Sequence, residues 1–438
     1  MNVHLSVHRH GASQRQLNSL LTEYCERIEQ HNAVIRAVVP DSYNRQKILS
    51  ATDQLFERWP DPAKRPALFG LTLGVKDIIR VDGFSTGCGT ALPDDLFRGA
   101  QADSVSRLID AGMIVMAKTE TTEFAFLDPA PTRNPHNIDH TPGGSSSGSA
   151  AGVAKGFFDL ALGTQTVGSV IRPAAYCGVT GFKPTLGRIS TGGVIPFSGT
   201  VDQVGLFCAD GSLLQAVSAT LLDHWDPSSS TPPNGAPLED ALVGIPEGPY
   251  LDQASSNGLA QFRVTVDRLR DAGTDIRSCR VLPKIGNINR VHQQLIAAEM
   301  ARSQEAWFPR YADRYRPKTR EIIESGQKVD DGELQSLLFE RQENIKDMTV
   351  EMEEHGIDFW LAPSATDHAD PGLKSTGSPI MNLPWTHAGL PVVSLPTHLD
   401  ARELPHGLQV IGKFDDDERL LPFCTAITAI LGQPASLF

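Results

Sequence analysis

Between Thr141 and Thr185 the chain is dominated by small residues, in the stretches TPGGSSSGSAAGVAKG and TQTVGSVIRPAAYCGVTGFKPT around the apolar run FFDLALG. A backbone this rich in glycine and serine suits a place where amide groups approach a ligand closely and hydroxyls move protons. Two clusters offer both, Gly143–Ser149 and Gly163–Ser169, and the second runs on into Val170-Ile171-Arg172-Pro173. Pro173 and the alanines after it predict a helix start, with Ser169 at or near the helix N-terminus. Free backbone N–H groups there favour negative charge. An acyl-transfer nucleophile and its oxyanion hole need such a setting.

The flanking sequence predicts α/β architecture. Leu71–Val75 reads as a strand ending at Lys76-Asp77, Ser104–Ala111 as a helix stopped by Gly112, and Met113–Ala117 as a buried strand. Upstream, Leu17, Leu20, Leu21, Tyr24 and Ile28 recur at helical spacing behind a Ser13/Gln16 capping box. Gly258–Gly273 and residues 290–355 read as long helices. The last hundred residues return to short apolar runs at Phe359–Ala362, Pro391–Leu395 and Gly407–Ile411. Residues 224–240 are linker-like, either a domain boundary or a surface excursion. A length of 438 residues permits two or three domains, or one large domain with insertions.

The balance of 39 Lys+Arg against 52 Asp+Glu gives a formal net charge of −13, which disfavours nucleic acid and anionic membranes as partners. No apolar run reaches the ~18 residues of a membrane span, and the N-terminus lacks a signal-peptide pattern, so a cytoplasmic protein is expected. The six cysteines are scattered without a C-x-x-C pair and read as small buried residues. His136 and His140 lie between Pro135 and Pro142 and make a poor metal pair. No metal and no cofactor is expected. Asp415-Asp416-Asp417-Glu418 reads as a solvated turn.

Three separated pieces carry a family resemblance: Gly74-Val75-Lys76-Asp77, Pro142-Gly-Gly-Ser-Ser-Ser-Gly-Ser-Ala150, and Gly163 through Ser169 to Gly181-Phe-Lys-Pro-Thr185. With Pro391–Pro396 and Gly407–Gly412, and with the spacing between Ser145 and Ser169, they resemble the amidase signature family over nearly the whole chain. The resemblance implies a single domain over 1–438, a three-layer α/β/α sandwich around a large mixed sheet, with a catalytic core in 70–210. It implies Ser169 as nucleophile, Ser145 as bridging serine in a run holding a cis peptide, and Lys76 as base. The backbone N–H groups of Thr166, Val167, Gly168 and Ser169 would form the oxyanion hole. The chemistry is coherent in its own right. A serine is a weak nucleophile until a base takes its proton, and lysine is a base only when burial keeps it neutral.

Three positions depart from the family's pattern: Gln165 stands where Asp is usual, Val167 where Gly is usual, and Arg172 lies three residues after the nucleophile rather than two. The implied substrate is a small-molecule amide, and a homodimer is compatible with the family. Acyl-pocket segments fall at Thr121–Asn137, Ser190–Val201 and Asp370–His387, where Phe124, Phe126, Phe197, Met381 and Trp385, with Gly144, are substrate-binding candidates. Alternatives are an ammonia-generating amidotransferase subunit, or a hydrolase of a carbamate, urea or ester. A further rival, an α/β-hydrolase using Ser146 in G-x-S-x-G, needs a strand running into that serine.

Overall fold

A computed structural model describes residues 9–230, Leu238 and 241–432. Its strands are β1 (Thr72–Lys76), β2 (Ile114–Thr119), β3 (Leu160–Gln165), β4 (Thr180–Lys183) and β5 (Gln203–Cys208), then β6 (Val243–Glu247), β7 (Ile276–Arg280), β8 (Phe359–Pro363), β9 (Val392–Leu399) and β10 (Pro405–Ile411). They form one ten-stranded mixed sheet in the order β2-β1-β3-β5-β4-β9-β10-β8-β6-β7. The two ends of the sheet are parallel, and the middle, from β3 to β8, is antiparallel.

Burial explains why the strands read as continuous apolar runs rather than alternating ones. Every residue of β1, β3, β5 and β8 is buried, as a strand covered by helices on both faces requires. The result is a three-layer α/β/α sandwich around the sheet. The outermost strand β7 instead carries exposed Arg277 and Arg280, charges of the kind that keep a sheet edge from pairing with other chains. β1 and β3 are parallel neighbours, with Val75 opposite Leu162, so Lys76 and Thr164 lie at the same end of the two strands.

Local signals hold. The Ser13/Gln16 capping box opens the helix Gln14–Ile35, and the helix Asp103–Asp110 is followed by Gly112 at φ +91°. Residues 290–355 fall within a broken series, Ile285–Ser303, Phe308–Tyr311, Pro317–Gly326 and Asp331–Glu354. Pro309 and Pro317 sit in the first turns of two of these helices, where a missing N–H costs nothing. The short helix beyond Ser169 runs Ile171–Cys177, so it begins two residues ahead of Pro173. Of 224–240, residues 231–237 and 239–240 lie outside the described residues; strands on both sides of the segment belong to the same sheet. All six cysteines are buried and free. No helix among the described residues is long and apolar enough to cross a membrane.

The acidic run at 415–418 is only in part the solvated turn expected of it: Asp415 is exposed, but the two residues that follow Asp416 are buried. Asp417 is fully buried and accepts from the backbone N–H (2.9 Å) and hydroxyl (2.6 Å) of Thr185. Glu418 is held bidentately by Arg188 at 2.7 and 2.9 Å. These contacts lash the helix Asp417–Leu431 to the stretch following β4. Removing the cation leaves two buried carboxylates without it, so Arg188→Ala is expected to destabilise the fold by on the order of 3 kcal/mol, read from the urea midpoint.

Candidate active site

Lys76 ends β1 with its side chain fully buried. Its Nζ lies 2.7 Å from Ser145 Oγ and 2.7 Å from Thr164 Oγ1, with the Thr164 carbonyl at 3.5 Å. None of these partners is charged. Burial pushes the lysine pKa well below its ordinary value, and the more distant Asp202 opposes this only in part. A neutral amine has two N–H groups and one lone pair. An amine in that form can donate to Thr164 and turn its lone pair to the Ser145 hydroxyl.

Ser145 follows a cis peptide bond from Gly144, and the Gly144 carbonyl accepts from Arg172 Nη2 at 2.6 Å. That contact shows what Arg172 does from its shifted position: it is buried against the Gly-Ser run, with Thr376 Oγ1 3.2 Å away. The neighbouring serines are all occupied. Ser146 Oγ donates to the Thr164 carbonyl, Ser147 Oγ to the Gly143 carbonyl and Ser149 Oγ to the Leu162 carbonyl. No strand runs into Ser146, which instead precedes the helix Ser147–Ala154, so the strand–turn–helix needed by the α/β-hydrolase alternative is absent among the described residues.

Ser169 stands apart from this set. Its hydroxyl has no hydrogen-bond partner among the described residues, and the residue is 8% exposed. Lys76 and Ser145 are thus joined directly, while Ser169 is left open. In the loop before it, the N–H groups of Val167, Gly168 and Ser169 have no acceptor among the described residues. The carbonyls of Val167 and Gly168 are engaged, by the Thr386 hydroxyl at 2.7 Å and the Arg172 N–H at 3.1 Å. A trans peptide points its N–H opposite to its C=O, so tying down the carbonyls turns the donors away from those braces. Thr166 enters differently, donating its hydroxyl to Asp202 Oδ1 at 2.5 Å. Gly168 is required by space: a Cβ there would meet Asn382 Oδ1 at 2.4 Å.

Gln165 braces the loop from beneath. Its carbonyl oxygen accepts from the N–H groups of Val170 (2.8 Å) and Ile171 (3.0 Å), the start of the short helix, while its amide nitrogen donates to Thr386 Oγ1 at 2.8 Å. A carboxylate in this place could accept both N–H groups but could not donate to Thr386.

The sequence pattern of the family described as Amidase matches residues 19–421. This chain belongs to the amidase family. Among curated relatives, a glutamyl-tRNA(Gln) amidotransferase subunit from Roseiflexus sp. (strain RS-1) is 30% identical over 399 residues, covering 81% of each protein. A crystal structure of an amidase superposes with a TM-score of 0.82 at 25% identity, covering 95% of this chain and 96% of that one. The native peptide amidase from Stenotrophomonas maltophilia shares the fold, with a TM-score of 0.80 at 24% identity over 96% and 95% of the two chains.

In this family member, the pocket candidates separate into two groups. Phe124 stacks on Trp307 and Tyr315 and meets Phe97 edge-on, inside an aromatic cluster. Met381 is fully buried with its carbonyl accepting from Tyr250 and Gln409, and Trp385 donates its indole N–H to the Tyr250 hydroxyl. These three side chains pack in the core. Phe197 is buried like these three and meets Phe126 edge to face at 5.6 Å, and Phe126 alone is half-buried. Thr164 and Thr386, missed from sequence, are central here. Thr164 lies inside the Gly163–Ser169 cluster, where its spacing from the serine was visible; Thr386 had no signal at all.

Replacing Gln165 by leucine leaves the Val170 and Ile171 N–H groups without their acceptor. The expected cost is about 1–3 kcal/mol for each buried unpaired group. Urea denaturation of Gln165→Leu beside wild type measures it.

Proposed function

We propose that this chain hydrolyses a carboxamide through an acyl-enzyme on Ser169. The observation that carries the reading is the buried Lys76 amine with only neutral partners, 2.7 Å from Ser145 Oγ. Ser169 Oγ attacks the substrate carbonyl carbon while its proton passes to Ser145, whose own proton goes to the Lys76 lone pair. The oxyanion is held by backbone N–H groups of the loop Thr166–Ser169, where those of Val167, Gly168 and Ser169 lie ahead of braced carbonyls. Collapse breaks the C–N bond, and Lys76 returns the proton through Ser145 to the leaving nitrogen. Water then attacks the acyl-enzyme by the same route and regenerates Ser169. Phe126 and Phe197 offer an apolar wall for the acyl group, and the same tetrahedral chemistry would serve a carbamate, urea or ester.

A panel of amides, anilides, ureas and esters tests the reading. Ser169→Ala and Lys76→Ala are expected to lower kcat by roughly 10⁴-fold or more with the fold intact. Ser145→Ala is expected to lose about 10²- to 10⁴-fold, and Ser146→Ala less than about 10-fold. Activity dying in Ser146→Ala and surviving in Ser169→Ala would overturn the assignment.

The lowered Lys76 pKa sets a pH dependence. Protonation removes the lone pair, so kcat/KM falls as pH drops through that pKa. Between it and the ordinary lysine value of ~10.4 the unfolded chain binds the extra proton, so this residue makes stability rise with pH across the window. Lys76→Met is expected to be inactive and to lose that rise, seen by comparing urea midpoints of the two proteins across pH.

The curated relatives favour a second reading, an ammonia-generating amidotransferase subunit working with a partner protein. It uses the same residues. Glutamine-dependent turnover with a co-purifying partner would support it, and hydrolysis of simple amides by the isolated chain would favour the first.

A further inference from the structure

Two buried histidines stand behind the loop that carries Ser169. His292, on the helix Ile285–Ser303, and His387, at the end of the helix Leu383–His387, are both fully buried, with ring centroids 5.4 Å apart. His292 Nε2 is 2.9 Å from the Thr166 carbonyl oxygen, His292 Nδ1 is 3.3 Å from His387 Nδ1, and His387 Nε2 is 3.4 Å from Asn344 Nδ2. These contacts fix the protons one by one. A carbonyl only accepts, so His292 Nε2 carries the hydrogen. Burial lowers the His292 pKa to about 4, so the ring is neutral and its Nδ1 is bare. His387 must then carry its hydrogen on Nδ1, and its bare Nε2 accepts from the Asn344 amide. The outcome is a one-way chain of donors from Asn344 through His387 and His292 to Thr166. The His387 backbone is anchored in turn, its carbonyl accepting from Arg341 Nε at 2.9 Å.

The end of the chain is what matters. The Thr166 carbonyl shares a planar trans peptide with the Val167 N–H, and the two point in opposite directions. We propose that His292 is a positioning residue for catalysis: by holding the Thr166 carbonyl, and being held in rotation by His387, it aims the Val167 N–H at the oxyanion. This completes a pattern in which each peptide from Thr166 to Ser169 is oriented from behind, by His292, Thr386 and the Arg172 N–H. It also accounts for Val167 serving where a glycine is usual, since the N–H is set by its neighbours and not by its own side chain. The proposal rests on the reading of Ser169 as nucleophile and of residues 167–169 as donors.

The test uses the full chain and an alkyl fluorophosphonate, which needs no knowledge of the substrate. Attack of Ser169 Oγ on phosphorus expels fluoride through a transition state whose phosphoryl oxygen occupies the oxyanion hole. Second-order labelling rates are measured for wild type, His292→Phe, His292→Asn, His292→Gln and Ser169→Ala, with thermal midpoints alongside. A glutamine amide reaches the place of Nε2; asparagine and phenylalanine cannot donate there. The expected result is labelling roughly 10²-fold slower in the Phe and Asn variants and restored to within about 5-fold of wild type in the Gln variant. Should His292→Phe fail to fold, the Asn and Gln variants carry the same contrast between two polar residues. Wild-type labelling in the Asn or Phe variant, or a folded Gln variant as slow as Asn, overturns the proposal. Undiminished labelling of Ser169→Ala would instead overturn the nucleophile assignment on which it stands.

Discussion

A lysine buried without a counter-ion is the constraint around which this structure is arranged. An ammonium group out of water is costly unless paired, and burial accordingly pushes the Lys76 pKa well below its ordinary value. Its neighbours are chosen accordingly: two hydroxyls and a carbonyl rather than a carboxylate. The adjacent strand shows the opposite solution. Lys118, equally buried in β2, pairs with Asp77 at 2.8 Å. Asp77 is the residue directly after Lys76 in sequence, yet it serves the other lysine, because consecutive residues of an extended chain point to opposite sides.

Gln165 meets a different demand, bracing the loop without adding a charge. The neutral amide keeps the helix-start contacts and adds a donor to Thr386. The acid that does remain nearby is restrained. Asp202 accepts from Thr166 Oγ1 and from the Phe197 and Ser198 N–H groups, and burial raises its pKa to about 6.

What could be read in the sequence was local or carried by the three-part resemblance. The capping box at Ser13, the strand ending at Lys76 and the stop at Gly112 each depend on residues a few positions apart. What could not be read depends on partners far along the chain. Asp417 and Glu418 look like any solvated acidic turn until Thr185 and Arg188 are brought to them. Phe124, Met381 and Trp385 have the composition of a pocket wall, and the aromatic and polar partners they pack against lie far along the chain. Residues 290–355 carry helical periodicity throughout, but Pro309 and Pro317 divide it. His292 did leave a trace, as a polar residue among Ile288, Val291 and Leu295 on the buried face of its helix. Nothing in that stripe tells which carbonyl it would face.

The brace between Gln165 and Thr386 spans 221 positions of sequence. On the ribosome, the serine loop emerges long before the threonine that orients it has been synthesised. A nascent chain therefore carries the serine loop without its distal brace until nearly all of the chain is made. Topology of this kind folds slowly, because distant segments must close before their contacts reward them. A chain cut short of Thr386 would hold the serines and lack that brace.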